Sequence, residues 1–395
     1  MSISNNSTKL IKTANRHLIL SVIRKAETVT IENLIHATHL SRPTILNIID
    51  ELLEQNIIER IGCAESAVGR QPFLYALTHH TYFAIGIDFE FPPIRLVVTD
   101  LSGAVCYQKN WESSFDTKKD DIIESLVANI QLALDTLHLT TDSIIGIGLG
   151  IPGTININKN TSEIISRIPE WNKTPLSEIL SQYFSVPIYV RNDAHLISMA
   201  VQAASRLEEQ TFLFISYRTG IGMSIIQNGK PYNGCFGNAG YLGHTTADIN
   251  GDLCICGNRG CLETFVSKSA IENKYAQARN SGSRIPFDAV LQAAADGDAI
   301  AADILNHAGT YFGIAIANCI KLLDIPTVII DGLNCSKDHI FIQTIEQTVN
   351  RFCASYAIEP IKIIPYQHEK ENYALGAAYF ILDTFFHEPK LKLSV

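Results

Sequence analysis

Thr211-Phe212-Leu213-Phe214-Ile215-Ser216 and Gly222-Met223-Ser224-Ile225-Ile226-Gln227 are two short apolar runs joined by a glycine-containing turn. Their length and composition read as strand, turn, strand. The same unit stands earlier, as Ala84-Ile85-Gly86-Ile87-Asp88 followed by Arg95-Leu96-Val97-Val98-Thr99-Asp100. One hairpin thus opens each of two similar halves, and this internal repeat predicts a duplicated α/β architecture around a cleft. The elements between fit that frame. Residues 122–137 read as a helix, and Ile144-Ile145-Gly146-Ile147-Gly148-Leu149-Gly150 as a buried strand. Residues 302–323 read as a long helix broken near Pro326, Val328–Gly332 as a further buried strand, and 373–386 as a closing helix.

The first eighty residues follow a different pattern. Residues 16–25 predict an amphipathic helix with Leu18, Ile19, Val22 and Ile23 on one face. A short helix over 31–38 follows, with Thr30 as its cap and Ile31, Leu34 and Ile35 inward. After a turn at His39-Leu40, Ser41 caps a longer helix whose first turn holds Pro43 and whose stripe is Ile45, Ile48, Ile49, Leu52 and Leu53. Ile57–Ile61 and Phe73–Leu77 read as a hairpin whose loop carries Gly69-Arg70. This is the order of a winged helix-turn-helix, in which the second helix enters the major groove N-terminus first. Ser41, Arg42, Thr44 and Asn47 are the candidate DNA-contacting residues on that helix, and Arg70 is the candidate at the wing. The competing reading is a small helical dimerisation domain.

In the middle of the chain, His244 precedes Cys254-Ile255-Cys256-Gly257-Asn258-Arg259-Gly260-Cys261. Three thiols and an imidazole make a full tetrahedral shell for Zn2+ with no position left for water, so His244, Cys254, Cys256 and Cys261 predict a structural zinc site. Gly257 and Gly260 let the chain fold back so that the sulfurs converge. Three of nine cysteines fall in this one run, and the other six show no disulfide spacing.

With 395 residues, 46% hydrophobic and 18% charged, the chain can bury large cores. No stretch has the apolar length of a membrane span, and the first residues lack the regions of an export signal; a cytoplasmic protein with no membrane partner is expected. The net charge of −9 is uneven, +1 over residues 1–80 and −10 over the rest. That asymmetry is too small to identify a nucleic-acid arm by itself.

Beyond residue 82 the ordered motifs resemble the ROK family of sugar kinases and sugar-responsive repressors. Gly146–Gly153 is similar to its Pro-Gly substrate loop, and Arg191-Asn192-Asp193-Ala194 to its sugar-binding and catalytic segment. Gly220-Ile221-Gly222 resembles its second phosphate loop. Asn238–His244 and the Cys-x-Cys-Gly-x-x-Gly-Cys-x-Glu run resemble its zinc and sugar segment. With the N-terminal domain, the resemblance is to the repressor branch that includes the xylose and N-acetylglucosamine repressors. It implies a two-lobed, actin-like, duplicated ribonuclease-H-like fold. The domains expected are 1–80 for the winged helix-turn-helix, 81–190 completed by 373–395 for one lobe, and 191–372 for the lobe with the zinc site.

The resemblance further implies that Asn192, Asp193, His244 and Glu263 bind sugar hydroxyls, with Asp193 at the position of the kinase general base. His244 would share its two nitrogens between metal and sugar. Two departures stand out. Tyr241 replaces a Glu that binds hydroxyls, and a phenol cannot offer a carboxylate's paired acceptors; Tyr241 is kept as a candidate that stacks on a ring face. Where the kinases have Asp-x-Gly-Gly-Thr, this chain has Asp88-Phe89-Glu90-Phe91-Pro92-Pro93, and Arg218 replaces a loop glycine. Near Asp331-Gly332-Leu333 the nucleotide-side Gly-Gly is also incomplete. Bulk, negative charge and missing N–H donors all oppose phosphate binding. The chain therefore reads as a non-enzyme: a sugar-responsive repressor of carbohydrate-metabolism genes that binds operator DNA as a homodimer or homotetramer, with the sugar between the lobes. The alternatives are a regulator answering to a protein partner, and an ATP-dependent sugar kinase with a fused DNA-binding domain.

Overall fold

The computed structural model describes residues 3–64, 71–90, 93–113, 117–205, 210–356, 358–366 and 373–387. Two compact units divide the chain. One comprises residues up to Leu149 with Leu176–Tyr189 and Ala377 onward; the other comprises Gly150–Pro175 and Val190–Gly376.

The first unit begins with α1 (Ile3–Ala26), α2 (Ile31–Thr38) and α3 (Arg42–Glu54), then the antiparallel hairpin β1 (Ile58–Cys63) and β2 (Phe73–Leu77). Thr30 and Asn33 cap α2 reciprocally, and His39 ends it in the left-handed region at φ 55°. Ser41 caps α3 and Pro43 lies in its first turn, as the sequence predicts. Val29 and Tyr75 exchange backbone hydrogen bonds of 3.0 and 2.8 Å, which ties the hairpin to the α1–α2 link. One expectation is corrected: Leu18 is 41% exposed, and the buried face of α1 is Ile19, Leu20 and Ile23. A helical period sets the spacing of an apolar stripe, while the neighbours it packs against choose its phase. The wing residues Gly69 and Arg70 lie outside the described residues.

Next come β3 (Phe83–Phe89), β4 (Ile94–Asp100), β5 (Val105–Trp111), α4 (Lys119–Thr136), β6 (Ile144–Ile151), the small hairpin β7 (Thr154–Asn156) and β8 (Thr161–Ile164), α5 (Leu176–Ser181), β9 (Ile188–Asn192) and α6 (Asp193–Ser205). The second half contains β10 (Phe212–Tyr217), β11 (Ile221–Gln227), β12 (Lys230–Pro231), α7 (Leu262–Val266), α8 (Lys268–Ala278), α9 (Phe287–Ala295) and α10 (Ala299–Leu323). It closes with β13 (Thr327–Asp331), α11 (Ile340–Cys353), β14 (Lys362–Tyr366) and α12 (Leu375–His387). The two five-stranded sheets have the orders β5-β4-β3-β6-β9 and β12-β11-β10-β13-β14. These orders are the same when each is counted from its opening hairpin, so the repeat read from 84–100 and 211–227 is a duplication of topology. The fold is a winged helix-turn-helix followed by a duplicated, two-sheet α/β domain.

Packing explains the apolar runs. Every residue of β3, β4 and β6 is buried. Gly148 lets β6 meet α12, since a Cβ there would stand 2.5 Å from the Ala377 carbonyl oxygen. We expect Gly148→Ala to cost about 1–3 kcal/mol by overpacking; an unshifted urea midpoint would show that α12 can yield. In the second half, Tyr217 stands among Phe287, Phe312 and Phe341 and donates a 2.6 Å hydrogen bond to the Val266 carbonyl. Leu305, Phe312 and Ile316 form part of the buried side of α10.

Helix α12 also reaches α1. Arg24 lies 5.0 Å from the centroid of the Phe386 ring, and His17 Nδ1 bonds the Phe386 carbonyl. Burial lowers the Arg24 pKa, and Asp383 partly offsets this. Among the described residues, no helix is long and apolar enough to cross a membrane.

Candidate functional site

The helix-turn-helix leaves its candidate reading residues on the surface: Ser41, Arg42 and Asn47 are exposed and Thr44 is half-buried. Ser41 accepts from the Thr44 N–H as a cap, and the two hydroxyls lie 2.8 Å apart, so part of their hydrogen-bonding capacity is spent locally. Arg42 Nη1 pairs at 2.6 Å with Glu32 Oε1 on α2, and this bond holds the Glu32 carboxyl below its ordinary value. The pair was not anticipated from sequence. A DNA phosphate and Glu32 would compete for the same guanidinium. Glu32→Gln is therefore expected to tighten DNA binding about two- to fivefold at low salt, the scale of one exposed ion pair. Equal affinities by fluorescence anisotropy would remove Arg42 from the contact surface.

The second candidate site lies wholly within the second unit. β9 ends at Asn192 and α6 starts at Asp193, so both side chains stand at the carboxyl end of a strand, where open α/β sheets bind ligands. Asn192 donates to the Gly153 carbonyl at 3.2 Å, and its Oδ1 accepts from the His195 N–H at 3.4 Å. Asp193 Oδ1 accepts from the Ala194 N–H at 2.9 Å. Tyr241 donates to Thr154 Oγ1 at 3.0 Å, and its ring stacks on His244 with centroids 6.0 Å apart. Burial pushes the Tyr241 phenol up to about 12, and the nearby Asp193 charge adds to this, so it stays a protonated donor. Two further residues hold the loop that carries Tyr241. Asn238 bonds both the N–H and the carbonyl of Ile155, at 2.7 and 2.9 Å, and His195 Nε2 donates to the Ala239 carbonyl at 2.8 Å. Burial lowers the His195 pKa, which favours the neutral ring in this role.

Glu263 belongs to the same neighbourhood but is not a free acceptor. Its Oε2 accepts from the Ile221 N–H at 3.2 Å, and its Oε1 pairs with Arg167 Nη2 at 3.1 Å. Arg167 also donates to the Thr219 carbonyl at 2.6 Å. Neither Arg167 nor Thr154 was picked out from sequence. Each meets its partner 96 or 87 positions away, a distance over which local pattern carries no signal.

Beside this set, His244, Cys254, Cys256 and Cys261 bring their ligand atoms within 4.8 Å of one another. His244 Nδ1 and Cys254 Sγ are 3.6 Å apart, as are the sulfurs of Cys256 and Cys261. A tetrahedral ion bound to sulfur at 2.3 Å requires ligand–ligand edges of about 3.7 Å, so the cluster fits a metal of that kind. Gly257 and Gly260 take φ of 92° and 66°, the left-handed values the reversal needs, and a Cβ on Gly260 would fall 1.5 Å from the Asp248 carbonyl. Nδ1 is thus the ring nitrogen that His244 turns to Cys254.

The two segments that depart from the kinase pattern are engaged within their own units. Asp88 and Glu90 both pair with Arg95, at 2.7 and 3.0 Å, and the Arg95 and Asp88 side chains are 6% and 2% exposed. Phe91 and Pro92 lie outside the described residues. In the second unit, Arg218 is buried with its guanidinium 4.3 Å from the Tyr373 ring centroid.

The chain resembles characterised proteins along most of its length. A xylose repressor of Caldicellulosiruptor bescii is 26% identical over 363 residues, covering 87% of this chain and 88% of that one. Among solved structures, a ROK family transcriptional regulator described as a homologue of the Escherichia coli MLC protein has a TM-score of 0.79 at 24% identity, covering 95% of this chain and 97% of that one. A ROK family glucokinase from Streptomyces griseus, solved with glucose and AMPPNP, has a TM-score of 0.64 at 22% identity, covering 75% of this chain and 98% of that one. Both structures share the fold, the regulator over nearly the whole chain and the kinase over three quarters of it. The profile of the ROK family matches residues 84–384, and on that match the chain belongs to the ROK family.

Proposed function

We propose that this protein is a DNA-binding transcriptional repressor of carbohydrate-metabolism genes whose hold on its operator is released by a sugar. The observation that carries the reading is the union, in one chain, of an exposed capped recognition helix with a ROK domain whose phosphate-side acid is consumed by a buried ion pair. Asp88 bound to Arg95 is not available to a nucleotide, and a buried Arg218 stacked on Tyr373 occupies the loop where the kinases carry glycine. Kinase activity is accordingly absent from this reading. The relatives named as repressors support it.

Its domains are 1–80 for DNA, 81–190 with 373–395 for the first lobe, and 191–372 for the second. Ser41, Arg42, Thr44 and Asn47, with Arg70 of the wing, contact DNA; two heads of a homodimer or homotetramer read a two-fold operator. Asn192, Asp193, Tyr241, His244 and Glu263 surround the sugar. His244, Cys254, Cys256 and Cys261 hold zinc, which supplies a cross-link between the 244 turn and the 254–261 knuckle. His244 is thereby fixed in tautomer and direction, with its second nitrogen toward the sugar. Asp193 accepts from a sugar hydroxyl without removing its proton to completion, since no phosphoryl acceptor step follows. The sugar acts only to the extent that it binds the DNA-free state better than the DNA-bound one. A protein reading operators works in the cytoplasm, where reduced thiols are available to the metal.

The test is fluorescence anisotropy of the protein on labelled DNA from its own upstream region, at fixed salt, titrated with monosaccharides and sugar phosphates. Release by one of them is the expected result. Tight binding that no sugar alters would favour a second reading, a regulator answering to a protein partner, for which Tyr241 bonded inward to Thr154 is the supporting observation. ADP formation with any sugar would establish a kinase instead.

A further inference from the structure

We infer that a cavity beside Glu263 is a second saccharide subsite, so that the effector is a disaccharide or longer glycan and not a single sugar ring. The inference rests on the sugar-responsive reading above. The cavity holds about 410 Å³, within the roughly 300–1,000 Å³ of small-molecule sites, and lies among Arg167, the knuckle residues 252–255, Ser267 and the face of α8 from Ser269 to Gln277. Asn192, Asp193, Tyr241 and His244 do not line it. Glu263 does, and it is the one residue common to the cavity and the candidate sugar site. A ligand filling both would pass along Glu263.

The lining selects a neutral polyol over an ion. Its two cations are matched by two acids in the lining: Arg167 is paired with Glu263, and Lys274 stands over the Phe265 ring with Asp252 in the same wall. An anion entering there would gain little net attraction and would meet two carboxylates. The remaining polar groups include Asn273, whose amide can donate to one hydroxyl and accept from the next, as vicinal diols require. The apolar side of the cavity is made by Leu253 and Ile255, which are 65% and 55% exposed. Apolar side chains open to water on a cavity wall suit the C–H face of a pyranose, which covers them while its hydroxyls reach the polar wall.

The experiment is calorimetric titration of the full, zinc-loaded chain with xylobiose, cellobiose and N,N′-diacetylchitobiose, each compared with its own monomer. One disaccharide is expected to bind roughly tenfold or more tightly than its monomer, the gain of one extra ring. Ala270→Trp, which fills the cavity from α8, is expected to bring that ratio down to about twofold or less. Because a Trp on α8 could disturb the helix, Asn273→Ala provides a milder version at an exposed position and is expected to reduce the ratio in the same direction. A monomer that binds as tightly as its dimer, or a dimer preference that survives both variants, overturns the subsite and leaves the repressor reading standing. If no saccharide binds the unaltered protein, both fall together.

Discussion

Cys256→Ser is expected to empty the metal site and, with it, to remove the response to effector. The four ligand atoms come from a turn and a knuckle whose reversal depends on Gly257 and Gly260, and few apolar contacts hold it: Leu253 and Ile255 face water, and Cys256 is only half-buried. Structural zinc contributes on the order of 10 kcal/mol to small domains with little other core. Here the packing around α10 and Tyr217 persists, so the loss should be confined to residues near 244–262, with Tm lower by roughly 5–10 °C. His244 then loses its fixed direction, and Tyr241, stacked on it, loses its support. Metal content, melting and sugar-induced operator release measured on one preparation would check each step. Full sugar response in a demonstrably zinc-free Cys256→Ser protein would separate the metal from the effector site.

Asp193→Asn is the second large effect. The substitution keeps shape, and an amide oxygen can still accept from the Ala194 N–H, so α6 should form unchanged. What is lost is the charge that a sugar hydroxyl would meet. Hydrogen bonds to charged groups are worth about 1.5–3 kcal/mol, which corresponds to roughly 10- to 100-fold in affinity. The inducing sugar concentration should rise by that factor while operator affinity without sugar stays constant. An inducing concentration within twofold of the unaltered protein's would take Asp193 out of the sugar site.

Much of this was legible in the chain because its signals are local. Caps at Thr30 and Ser41, the bend at His39, and four candidate metal ligands between 244 and 261 with glycines among them each fit in a short window. The repeated hairpin was legible because two buried sheets need the same apolar runs. What local pattern could not supply is the partner of each polar group. Arg167 with Glu263, Arg42 with Glu32 and Tyr241 with Thr154 are pairings made by tertiary folding, and each alters what the expected functional residue can do. Glu263 was expected to bind sugar hydroxyls; in the fold one of its oxygens holds Arg167 and the other a backbone N–H. The phase of α1 was misjudged for the same reason: Leu20 rather than Leu18 is inward because of what packs there.

The seating of α1 by α12 has a consequence for how the protein is made. His17 and the Phe386 carbonyl it bonds lie 369 positions apart. At ordinary rates of chain growth, the N-terminal helical head leaves the ribosome on the order of half a minute before the helix that packs against its first helix. Throughout that interval the head is an unfinished module on a nascent chain, and Arg24 has no aromatic ring to cover it. Operator binding by unfinished chains would titrate DNA without being open to release by effector. On the proposed reading, a first helix whose last contacts are made by the final described helix would tie completion of the DNA-binding head to completion of the domain that regulates it.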